Sequence, residues 1–298
     1  ATDSTRSLNE FDSTQLLTTS TVATYLQIDI PYCIEMPLMT TPNTNISQNN
    51  QDQFSDWEWQ SRVECAAGHH LLELYNLTDM VEGVLAVRVK GEENAYLLKT
   101  YKTFFDEVSA SNLVKVRFDE EPDAGPGKPL NYSSCAQAKG ILAARKDVNC
   151  MLHTHIPAAT VIASIEGGLQ AVIQHALIVL SEIVYVDLDI GNDDSAVADI
   201  VRLMGDKKIV MVRNHGVFVA ASGVAEVLFL TITLEYACRC QLDAMQSGHK
   251  VLALDTATAA KMSQEFTSDA NNQMAFNGSL QWPGWLRKLD RMNACFRE

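Results

Sequence analysis

A chain of 298 residues, 47% hydrophobic and 20% charged, has the make-up of a globular protein long enough to bury a sizeable core. Its formal net charge of −14 argues against a nucleic-acid partner and against docking on anionic lipid, both of which call for clustered Lys and Arg. No apolar run approaches the roughly 18 residues of a membrane-spanning helix, so no membrane insertion is expected.

Residues 1–53 are rich in Ser, Thr, Asn, Gln and Asp, with Pro31, Pro37 and Pro42, and read as a polar N-terminal arm ahead of one domain over 54–298. Ser55-Asp56 is placed to cap a helix to about Leu74, with Trp57, Val63, Ala67, Leu71 and Leu74 near helical spacing and His69-His70 on its surface. Val84 to Val89 and Ala95 to Leu98 read as a hairpin turning at Gly91. Ser109 onward suggests a one-turn helix feeding a strand through Arg117. Prolines and glycines make Glu120 to Pro129 a loop. Ser133 or Ser134 can then cap a helix ending near Arg145.

From Val148 the pattern is more regular. Val148 to His153 is a buried strand, and Pro157 suits the first position of a helix that stops at Gly167-Gly168. Ile183 to Leu188 is a strand, Asp193 to Gly205 a capped helix, and Ile209 to Val212 and Val217 to Ala220 two further strands. Val224 to about Gln246 is a long buried helix closed by Gly248. The order predicts a three-layer α/β/α sandwich around a mixed, largely antiparallel sheet. The seven cysteines show no repeating spacing, so reduced thiols are expected, and Cys238-Arg239-Cys240 points its thiols to different helix faces.

Two residues apart at the end of an apolar strand, His153 and His155 project to one face. His215 also ends an apolar strand, in Val212-Arg-Asn-His-Gly216, where the glycine permits a sharp turn. Three neutral imidazoles with an open fourth position make a catalytic metal arrangement for zinc or another borderline divalent ion. Arg213 and Asn214 would hold the turn through hydrogen bonds behind the ligands. His175 is either a further ligand, a substrate contact or, more commonly for such a residue, a polar loop side chain. Tyr185 and Tyr236 read as core.

His153-Thr-His155, Gly167-Gly-Leu169, Ile183-Val-Tyr-Val-Asp187, Gly205-Asp-Lys-Lys208, Arg213-Asn-His-Gly216 and Glu235-Tyr-Ala-Cys238 together resemble the class II aldolase/adducin family. The tail from Leu280 to Arg291 is similar to that of its adducin-like bacterial members, and the resemblance covers roughly residues 55–295. It implies one divalent metal on His153, His155 and His215, zinc first, with manganese or iron as alternatives. It implies a lyase that polarises a carbonyl in aldol cleavage or decarboxylation, and a homo-oligomer, a tetramer by preference, with Trp282-Pro-Gly-Trp285 as interface or lid.

Departures from the family pattern shape the substrate. Sugar-phosphate aldolases of this fold carry an acid/base glutamate on the helix before the H-x-H strand; here that stretch is Tyr132-Ser-Ser-Cys-Ala-Gln137, leaving Cys135 and Gln137 as candidate substrate contacts. The usual phosphate-binding Gly/Asn/Ser segment reads Glu82-Gly-Val-Leu-Ala86, and the next loop reads Lys99-Thr-Tyr-Lys102. A small, non-phosphorylated carbonyl or carboxylate compound is therefore the expected substrate. A catalytically silent, adducin-like scaffold or subunit of a larger assembly is the alternative. A cytoplasmic location is expected, with a removed leader or an organellar location as the other reading of a start at Ala1.

Overall fold

Ser55 accepts the amide of Glu58 (3.2 Å) and opens α1 (Asp56–Leu74), whose last turns run buried into the core. The computed structural model describes residues 51–298 apart from 124, 126–128, 188–193 and 268–275; the polar arm expected over 1–53 lies outside the described residues but for its last three. After α1 come β1 (Val84–Arg88), β2 (Ala95–Leu98) and β3 (Val114–Arg117). They are followed by α2 (Tyr132–Ala144), β4 (Cys150–Thr154), α3 (Pro157–Ala163) and α4 (Gln174–Val179). Then come β5 (Ile183–Val186), α5 (Asp194–Met204), β6 (Ile209–Val212), β7 (Gly216–Ala221) and α6 (Val224–Gln246). The last helices are α7 (Thr256–Thr267) and α8 (Trp282–Arg291).

The strands form one mixed sheet in the order β3-β2-β1-β4-β7-β6-β5, antiparallel throughout except for the pair β5–β6. Alternation along each strand feeds two cores, as period-two geometry requires. Cys150 and Leu152 of β4 with Val217 and Val219 of β7 join α1, α3, α4 and α6 on one face. Met151, Phe218 and Ala220 join α2 and α5 on the other. The expected α/β/α sandwich is the observed fold.

Several local readings are corrected. Asn131, not Ser133 or Ser134, caps α2, its Oδ1 accepting the amide of Ser134 (3.2 Å). The one-turn helix lies at Phe105–Glu107, ahead of Ser109, whose amide instead donates to Asn112 in a turn (2.9 Å). Helix α3 stops at Ala163, short of Gly167, and α4 lies where a loop was expected. His69 and His70 are buried, because α1 packs both against Phe105 and Phe296. Trp285 also turns inward: α8 lies on α1, and the indole donates to Tyr75 Oη (3.1 Å), so its ring is core within the chain. Of the two tyrosines read as core, Tyr185 is half-buried against it, whereas Tyr236 is 53% exposed. The described cysteines are free thiols. Among the described residues no helix is long and apolar enough to cross a membrane.

Candidate metal centre

Strand β4 sits in the middle of the sheet, and its antiparallel pairing with β7 sets His153 opposite Phe218. The imidazole of His153 stacks on that ring at 4.2 Å between centroids. His155 follows β4 by one residue, and His215 lies in the tight turn from β6 into β7. Asn214 takes φ +59° to make that turn, a left-handed conformation that Asn tolerates better than most residues. Gly216 cannot be enlarged, since a Cβ there would stand 2.6 Å from the carbonyl of Thr154.

The result is a nearly equilateral triangle of imidazoles, with ring centroids 5.0 Å (His153–His155), 5.1 Å (His153–His215) and 5.0 Å (His155–His215) apart. One nitrogen from each lies within 4.8 Å of the others. Nδ1 of His153 donates to the carbonyl of Val217 (3.0 Å), and Nδ1 of His155 to the carboxylate of Asp79 (3.0 Å). Those partners place the proton on Nδ1 in both rings and leave each Nε2 with a bare lone pair. Nε2 of His153 then faces Nε2 of His215 at 3.2 Å.

Two nitrogens bound tetrahedrally to one zinc at about 2.1 Å stand about 3.4 Å apart, so this donor set fits a divalent ion. Burial drives His153 down to about 3, with the neighbouring His155 adding to the effect, and burial likewise lowers His215. Both rings are neutral at physiological pH, which is the form that ligates.

The remaining sequence candidates separate. Arg213 donates to the carbonyl of Ala163 (2.9 Å) and pairs with Asp187 (3.2 Å), while the Asn214 amide donates to Ser164 Oγ (2.9 Å); both brace the His215 turn. Cys135 is buried on α2, its thiol pushed up to about 11 by burial, and Gln137 donates to Ser133 within its own helix (3.3 Å). His175 is on α4, not in a loop, with its ring 4.6 Å from Tyr236, in a cavity of about 570 Å³ lined also by Phe229, Ile232, Leu280 and Trp285. It does not join the histidine cluster.

Asp79, the hydrogen-bond partner of His155, is announced by no local pattern in the sequence. It lies in a loop 76 residues before His155, in a turn closed by the Asp79–Glu82 bridge. Gly83 (φ +85°) follows, so close that a Cβ there would stand 2.7 Å from the carbonyl of His153. Lys99 holds the same turn by donating to the carbonyls of Val81 (2.7 Å) and Thr103 (3.0 Å).

This arrangement has relatives. The Class II Aldolase and Adducin N-terminal domain model matches residues 63–242. A "Putative aldolase class 2 protein" of Caulobacter vibrioides is 33% identical over 242 residues, which is 80% of this chain and 91% of its own length. Adducin-related protein 1 of Caenorhabditis elegans is 28% identical over 255 residues, 81% of this chain but 34% of that longer protein. Among solved structures, an aldolase II superfamily protein from Pseudomonas syringae superposes with a TM-score of 0.73 at 28% identity, covering 83% of this chain and 98% of its own. With the fold, the strand-end histidines and these likenesses in agreement, the chain belongs to the class II aldolase and adducin N-terminal domain family.

Proposed function

We propose that His153, His155 and His215 hold one divalent metal ion, zinc by preference, and that the protein is a metal-dependent lyase. Its substrate is a small, non-phosphorylated carbonyl or carboxylate compound, cleaved by an aldol step or a decarboxylation. The observation that carries this reading is the convergence of three imidazole nitrogens within 4.8 Å, two of the rings tied by Nδ1 to Val217 and Asp79. When bound, the ion supplies Lewis acidity toward a substrate carbonyl oxygen.

The chain's own residues divide the remaining work. The Asp79 carboxylate keeps the proton of His155 on Nδ1 and stiffens the ring against rotation. The same turn carries Glu82, which accepts the hydroxyl of Tyr101 (3.1 Å). Asp79 and Glu82 set two carboxylates against the one Lys99 ammonium in this turn, a net negative charge that favours an uncharged or weakly anionic substrate over a doubly charged phosphate. The thiol of Cys135 stays protonated at neutral pH and is buried, so it is no general base. The same reading takes the protein to be a homo-oligomer, a tetramer by family resemblance, acting in the cytoplasm.

The test is a metal analysis combined with a substrate panel. One zinc per chain, lost in His155→Ala, and metal-dependent turnover of small oxo acids or hydroxy acids are the expected results. Turnover of fuculose 1-phosphate or rhamnulose 1-phosphate at ordinary enzyme rates would overturn the substrate argument. A second reading, a non-catalytic scaffold, is favoured by the adducin-related match and by an α2 without a carboxylate in the Tyr132–Gln137 stretch. Metal-loaded, folded protein that turns over nothing in the panel would put this reading in place of the enzyme one.

A further inference from the structure

Helix α3 touches both turns that carry the histidines. Its first residue, Pro157, follows His155 by two positions. Ile156, at the N-cap, has no side chain able to accept a hydrogen bond. The cap is supplied from α6 instead: Glu235 accepts the amide of Ala158 on Oε1 and that of Ala159 on Oε2, each at 3.0 Å. A carboxylate here satisfies two orphan donors at once and meets the positive end of the helix. Arg239 holds that carboxylate from one turn further along α6 (3.2 Å).

The other end of α3 grips the second turn. The carbonyl of Ala163 accepts Arg213 Nη1 (2.9 Å), and Ser164 Oγ accepts the amide of Asn214 (2.9 Å), immediately before His215. Between these ends the seven residues of α3 span about 10 Å at the helical rise. Ala158, Ala159, Ile162 and Ala163 are buried against the core, so the helix has no room to slide.

We propose that α3 is a strut fixing the separation of His155 from His215, and that Glu235 is the positioning residue that locks it. The inference rests on reading the histidines as metal ligands. A loosened strut leaves all three imidazoles present but spreads their relative positions, so each binding event must first reassemble the triangle. The cost falls on affinity and on ligand geometry, beyond any loss of fold stability.

Glu235→Gln keeps the volume of the side chain but offers one acceptor oxygen to two amides. The experiment uses the full chain, with zinc affinity measured by competition against a chelating dye and geometry read from the absorption bands of the cobalt(II)-loaded protein. The expected result is zinc affinity lower by about tenfold to a hundredfold, with altered cobalt bands. Ser164→Ala, at the opposite end of the strut, should move both readouts the same way, and it decides the matter if Glu235→Gln does not fold. Variants that melt at lower temperature yet bind zinc with wild-type affinity and show wild-type cobalt bands would overturn the strut while leaving the metal reading standing. Wild-type protein that binds neither ion would overturn the metal reading, and the strut with it.

Discussion

Asp79 and His155 meet through a 3.0 Å contact between a carboxylate oxygen and Nδ1, across 76 residues of sequence. A carboxylate behind a ligating imidazole fixes its tautomer and raises its basicity. Asp79→Asn should therefore lower zinc affinity by roughly tenfold to a hundredfold. Because the Asp79 side chain is 37% exposed, the melting temperature of the metal-free protein should barely change. Dye competition and a thermal melt of the same preparation separate the two effects.

Metal removal should destabilise the fold. An ion bound only by the native state at a free concentration a hundred times its Kd contributes about 2.7 kcal/mol. For a domain of this size that corresponds to roughly 5–10 °C in melting temperature. Calorimetry with and without a chelator checks this, and His155→Ala should melt alike under both conditions.

Much of this was legible in the sequence wherever the signal is local. Ser55 as a cap, the hairpin at Gly91 and the run of α6 from Val224 to Gln246 follow from spacing and punctuation alone. His153, His155 and His215 show themselves by standing near or just past the ends of apolar strands. Asp79 does not, and Glu235 appears only within a motif and not as a cap, since each acts through a contact some 76–77 residues away that no local pattern encodes. Helix α4 was hidden because six residues, QHALIV, are too short to establish a period. His69 and His70 read as surface on polarity, yet α1 is covered by the Phe105 turn and the C-terminal Phe296. Burial of that helix depends on elements far along the chain.

Acid should weaken the domain through Glu58. Burial alone would raise this carboxyl, but hydrogen bonds and charge from Lys115 (2.7 Å) and Arg62 (2.9 Å) outweigh it and hold it below its ordinary value of 4.5. A depressed folded value means the stabilisation is complete above that ordinary value and disappears as pH falls through the folded one. Glu58→Gln strands the buried Arg62 and should cost about 3 kcal/mol at neutral pH. Urea unfolding at neutral pH and near pH 3 should show the wild type losing stability on acidification and the variant losing less.

Gly83→Ala should be costly at the centre itself. The backbone is left-handed there at φ +85°, and the new methyl would press on the carbonyl of His153. Strain of this kind costs on the order of 1–3 kcal/mol. The same change at Gly91, equally left-handed at φ +79° but facing open space, should cost less and leave zinc affinity untouched. Parallel melts and zinc titrations of the two variants give the comparison.

The place of β4 in the strand order carries a consequence for how the site comes into being. Its neighbours are β1, made before it, and β7, made more than sixty residues later. During synthesis the pair His153 and His155 is made first, and α3, α4, β5, α5 and β6 all follow before the third imidazole. The third arrives only with the strand that also completes the hydrogen bonding of β4. Closure of the sheet and completion of the triangle are thus one event, and a truncated product ending before His215 has neither.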